Sequence, residues 1–198
     1  MQAQIAEELR RLLPHLEELT GLQSRWNGIV ILVSDADYLG LKPFSCKIRL
    51  DAALAQQPTR WSTLIHELLH SCSAGYKRDD FQKLRGWEEG VVEQLQRLLR
   101  PELLMRLKVD LAPDVFALME ATHHFNPYIE ALEEIRLALK GEGVPDAPRE
   151  FYTNLLRTPM GERPGYILGL GYQRIALPRA PFVRAFSAAN ALLTRKLL

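Results

Sequence analysis

Cysteine is nearly absent from this 198-residue chain, with Cys46 and Cys72 the only two. Two thiols cannot build a disulfide framework, and free buried thiols fit a reducing compartment. Long apolar runs are missing as well. Residues 29–33 make an unbroken apolar run of five, and none is longer. A membrane span needs roughly 20 such residues. No sign of charge dominates: 25 basic side chains face 24 acidic ones, a net of +1, which gives no whole-chain argument for nucleic acid or a membrane surface. Residues 1–8 are polar and acidic, so no secretory signal is expected and the expected address is the cytoplasm. Internal repeats and low-complexity tracts are lacking too.

What is present is ordinary for a folded protein. Hydrophobic residues at 47% and charged residues at 25% exclude disordered and collagen-like chains. The length suits one domain with its own core. Charge is uneven, however. Residues 149–198 carry eight basic side chains (Arg149, Arg157, Arg163, Arg174, Arg179, Arg184, Arg195 and Lys196) against Glu150 and Glu162. This basic end is either a solvated helical face or a dock for an acidic partner.

Hydrophobic spacing predicts the elements. Ile5, Leu9, Leu12, Leu13, Leu16 and Leu19 recur at steps of three and four, an amphipathic helix over 3–20 that Pro14 should kink or divide. Two strands are predicted at 29–33 and 45–50, with a loop at 35–43 between them. A helix with Thr59 as its cap should run from about 59 to 73. Gly75 and Gly86 bracket a polar connection, and a further helix from Trp87 should stop at Arg100-Pro101. Helices are predicted at 113–123, 127–140, 147–156, 165–175 and 181–197, separated by Gly/Pro punctuation such as 141–145. The fold class that follows is α+β, mostly helical, with a small N-terminal sheet.

The chemistry concentrates in Thr63-Leu64-Ile65-His66-Glu67-Leu68-Leu69-His70-Ser71-Cys72. On a helix, His66 and His70 are about one turn and 40° apart, on one face. Two imidazoles so placed can share one metal ion, and Glu67 at the edge of that face can reach a water on it without ligating. Composition alone would produce His-Glu-x-x-His somewhere in such a chain about once in a hundred times. The uncharged flanks Leu64, Leu68, Leu69 and Ser71 suit a metal-bearing helix packed in a core. Cys46 and Cys72 read as small apolar residues rather than ligands.

A third ligand is needed, and Gly86-Trp87-Glu88-Glu89-Gly90-Val91-Val92-Glu93 lies at the right distance. With eighteen residues separating His70 from Glu89, which is followed by Gly90 and by Glu93 four positions on, the chain resembles the gluzincin metallopeptidases. The likeness covers roughly residues 45–95, and the short length suggests a stripped-down, minigluzincin-like single domain. The resemblance implies a zincin-like fold with an active-site helix, a catalytic core over 1–100 and a helical C-terminal subdomain over 101–198. It implies zinc held by His66, His70 and Glu89, with Glu67 as general base and acid. Glu93 would orient a ligand histidine by accepting its free N–H. Periodicity points elsewhere for the third ligand: the apolar face of Val91, Val92, Leu95, Leu98 and Leu99 is centred closer to Glu88, which stands as the alternative.

An oxyanion formed in peptide hydrolysis needs a hydrogen-bond donor. Gluzincins usually supply a Tyr or His from downstream. Tyr166, in Gly165-Tyr166-Ile167-Leu168-Gly169, is the first candidate, ahead of Tyr172, Tyr152, His123 and His124. His123 and His124 would diverge by about 100° on a helix, so no second metal site is expected there. The strand at 45–50 is a candidate edge for binding an extended peptide by strand addition. Three functions follow: a zinc peptidase acting on peptides or proteins, a zincin fold used for partner-controlled binding, or a metal-free helical interaction protein.

Overall fold

The computed structural model describes residues 1–34, 40–41, 45–139, 147–173 and 179–195. Helix dominates, and a small three-stranded sheet lies near the N-terminus, so the α+β class holds. No helix among the described residues is long and apolar enough to cross a membrane. The loop predicted at 35–43, apart from Gly40–Leu41, and the Gly/Pro punctuation at 141–145 lie outside the described residues.

Helix α1 spans Gln2–Thr20 and buries Ile5, Leu9, Leu12 and Leu16 of the predicted stripe, while Leu13 and Leu19 are half-buried. It runs undivided through Pro14. Pro14 and Arg10 are both exposed, so water can satisfy the Arg10 carbonyl that proline leaves without a donor. The helix ends on Gly21 in the left-handed region (φ 66°), whose N–H donates to the Glu17 carbonyl.

Strands β1 (Val30–Val33), β2 (Gly40–Leu41) and β3 (Ile48–Asp51) lie in the order β1-β3-β2. β1 pairs with β3 in parallel from Val30↔Ile48 to Val33↔Asp51, and β2 pairs with it antiparallel. Two corrections follow. A third short strand stands where only loop was expected, and β3 is the central strand rather than a free edge. Its backbone is paired with β1 over Ile48–Asp51 and with β2 at Arg49 and Leu50, so no open edge is left at those two residues for strand addition.

Helix α2 (Arg60–Cys72) is buried along nearly its whole length. Thr59 stands at the N-cap position but makes no capping bond with its side chain. The first turn is closed by the backbone instead, with Arg60, Trp61 and Ser62 N–H groups donating to the Gln57, Pro58 and Thr59 carbonyls. Arg60 then ties α2 to α1 through a two-pronged contact with Glu8, at 3.0 and 2.8 Å.

Helix α3 runs Arg78–Arg106, with one non-helical residue at Leu84. The kink at Leu84 divides it into two helical runs, so the second starts close to the predicted Trp87, while a helical run over 78–83 stands in the predicted polar connection and Gly86 lies just inside the second run. It also passes through Pro101, the predicted stop. A mid-helix proline costs about 3 kcal/mol. Continuing the helix keeps Leu103 and Leu104 in the buried row started by Leu95 and Leu99. Burying each such side chain contributes roughly 1.5–3 kcal/mol, enough to offset the proline.

Shorter elements follow: α4 (Ala117–Ala121), α5 (Asn126–Ala138), α6 (Pro148–Arg157), α7 (Arg163–Gln173) and α8 (Arg179–Leu193). The helix predicted at 113–123 is a 3-10 turn over Pro113–Phe116 followed by the single short α4. Two compact units are interleaved along the chain. One comprises Met1–Ser73 and Gln96–Thr122, the other Ala74–Leu95 and His123–Leu198. The first has its core in Leu9, Leu12, Ile48, Leu50 and Leu64; the second in Trp87, Val91, Tyr128, Leu132, Tyr152 and Phe182.

Gly86 shows why α3 tolerates glycine. A Cβ there would sit 2.6 Å from the Leu193 carbonyl oxygen and 2.8 Å from both Leu193 Cα and Tyr128 Cε1. Two of these atoms are backbone and cannot step aside cheaply. Gly86→Ala is therefore expected to destabilise by about 1–3 kcal/mol in urea unfolding, as overpacking does. Helix propensity alone would make alanine stabilising by about 1 kcal/mol, so the sign of the change decides between the two.

Candidate metal centre

α2 presents His66, Glu67 and His70, all buried. The imidazole rings meet edge to face with centroids 4.7 Å apart, and their Nε2 atoms lie 3.0 Å from each other. Two nitrogens bound at about 2.0–2.1 Å to one tetrahedral ion stand roughly 3.3 Å apart, so the spacing fits a shared cation. Glu89 on α3 adds a carboxylate oxygen, and the three donor atoms all lie within 4.8 Å of one another. Among the described residues no other group of His, Cys, Asp and Glu offers three donors this close. Two nitrogens and one oxygen leave a tetrahedral ion one position for solvent.

Arg85, one turn before Glu89, brings its Nε to 3.7 Å from the Glu89 carboxylate while staying half-exposed. Glu88, the alternative third ligand, is engaged elsewhere. It accepts a 2.7 Å bond from Arg163 Nη1, and both side chains are 0% exposed. Arg163 also donates from Nε to the Thr158 carbonyl at 3.3 Å and from Nη1 to the Trp87 carbonyl at 3.5 Å. The apolar face of α3 does carry Glu88, and a buried guanidinium answers its charge. Nothing in the periodicity of residues 149–198 marks Arg163 as buried.

Glu93, at 1% exposure, has its Oε1 3.9 Å from His123 Nδ1. That ring nitrogen accepts the Phe125 N–H at 3.3 Å. His123 and His124 lie in the turn before α5 rather than on a helix, and their rings stack at 4.8 Å. Tyr166, on α7, borders a groove of about 750 Å³ lined also by Asn154, Arg157, Thr158 and Glu162; no residue of the donor set lines it. Partial burial, then the nearby Glu150 carboxylate, raise the Tyr166 phenol above its ordinary range. Tyr152 is engaged, its hydroxyl donating to Glu133 at 2.7 Å, and Tyr172 is largely exposed.

The C-terminal end of α2 is clamped by residues that sequence reading passed over. Arg25 donates from its backbone N–H to the Ser71 carbonyl at 2.9 Å and from Nη2 to the Ser73 carbonyl at 2.5 Å. Ser71 Oγ, 2.5 Å from Ser24 Oγ, donates to the Leu68 carbonyl. A cation there satisfies late carbonyls and suits the negative end of the helix dipole. Cys72 lies in this buried stretch, and burial pushes its thiol up to about 12, so it stays a neutral thiol near pH 7. Compared with protein-family models, with curated proteins and with solved structures, the chain matches none.

Proposed function

We propose that this protein is a zinc-dependent peptide hydrolase of gluzincin type. The observation that carries the reading is the buried donor set of His66, His70 and Glu89 with Glu67 between the histidines. Zinc held there would supply a Lewis acid and bring the pKa of water towards about 7. His66 and His70 would hold the ion from one helix face, and Glu89 would complete three protein ligands. Glu67 takes the proton from the attacking water and passes it to the departing amine nitrogen. Peptides or unfolded proteins are the substrate class, and the basic end at 149–198 is proposed to meet an acidic regulatory partner.

Dialysis against zinc followed by metal analysis tests this directly. One zinc per chain is expected, with hydrolysis of an unfolded casein substrate that a chelator stops, and His70→Ala should lose both metal and activity. A chain that takes up no zinc would overturn the metal reading. Zinc uptake without hydrolysis would leave a binding protein.

A further inference from the structure

Glu88 and Arg163 form a fully buried ion pair, 2.7 Å apart, for which peptide hydrolysis has no direct use. Such pairs give little net stability, because desolvating both charges roughly cancels their attraction, and apolar side chains of similar volume often do as well. The pair's position suggests another task. Glu88 and Glu89 are adjacent carboxylates, about 100° apart around α3. A helix bearing both could present either one as a metal ligand after a rotation of that size. Arg163 removes this ambiguity. Its guanidinium is held from outside α3 by the Thr158 carbonyl and donates to two neighbouring points of α3, the Trp87 carbonyl and the Glu88 carboxylate, so it meets the helix in one rotational setting.

We propose that the Glu88–Arg163 pair is a rotational pin on α3, holding the helix so that Glu89, and not Glu88, completes the metal site. The proposal rests on the metal reading above. Glu88 and Arg163 act through Glu89 and are positioning residues.

The test measures zinc affinity, by competition with a chromogenic chelator, beside thermal melting in three proteins. Glu88→Gln keeps the shape and one hydrogen-bond acceptor, so it should bind zinc within about threefold of wild type. The double variant E88L/R163M replaces the pair with apolar side chains. It should melt cooperatively near the wild-type temperature and bind zinc at least tenfold more weakly. Equal zinc affinity in the double variant and wild type would overturn the pin while sparing the metal site. A double variant that does not fold would also overturn it, by assigning the pair to stability alone. Wild type that binds no zinc would sink both readings together.

Discussion

Glu67→Gln is expected to slow hydrolysis of an unfolded protein substrate by about 10²–10⁴-fold while leaving zinc content unchanged, the range that general acid–base catalysis contributes. Glutamine matches glutamate in size but cannot carry a proton from water to an amine. Glu67 is buried, and it is not one of the three residues that offer donors to the ion. The substitution therefore removes the proposed proton carrier and spares the three proposed ligands. Initial rates on labelled casein, read beside metal analysis of the same samples, separate the two effects. Turnover within tenfold of wild type would remove Glu67 from the mechanism. Loss of zinc together with activity would mean that the carboxylate supports the site's structure.

The second large effect concerns stability. Arg163→Met should lower the free energy of unfolding by about 3–5 kcal/mol, because it strands the Glu88 carboxylate in the interior without its cation. Domains have only about 5–15 kcal/mol in total, so the variant loses a large share of its margin. Arg10→Ala is the contrast. Its partner Glu7 lies on the surface of α1, and both side chains are more than half exposed. Such pairs contribute roughly 0–1 kcal/mol. Urea midpoints of the two variants should differ accordingly. A loss below about 1 kcal/mol for Arg163→Met would mean that water reaches Glu88.

The features legible in the sequence are those whose physics is local. The stripe of α1 and the four-residue step from His66 to His70 depend only on helical geometry, and both stand in the structure. The features that local pattern leaves open, or points the wrong way, depend on residues elsewhere in the chain. Which of the two adjacent glutamates is taken up in a buried ion pair, and which offers an oxygen beside the imidazoles, turns on Arg163, 75 residues beyond Glu88. Pro101 reads as a stop until the burial of Leu103 and Leu104 is weighed against it. Gly86 reads as a break until Leu193 and Tyr128 are seen to occupy the space a side chain would need. Thr59 has the right residue type for a cap, yet the backbone closes the turn without it. β3 reads like an edge because its second neighbour, β2, is only two residues long.

The interleaving of the two units bears on how the gene could be shortened. A truncation ending at Thr122 would still encode both imidazoles and both candidate carboxylates. It would nonetheless discard Asn190, Arg163 and Leu193, against which Trp87, Glu88 and Gly86 are seated. If the chain is a peptidase as proposed, deletion mapping would then report an inactive fragment that keeps every proposed ligand, and would wrongly assign the proposed chemistry to the C-terminal half of the chain.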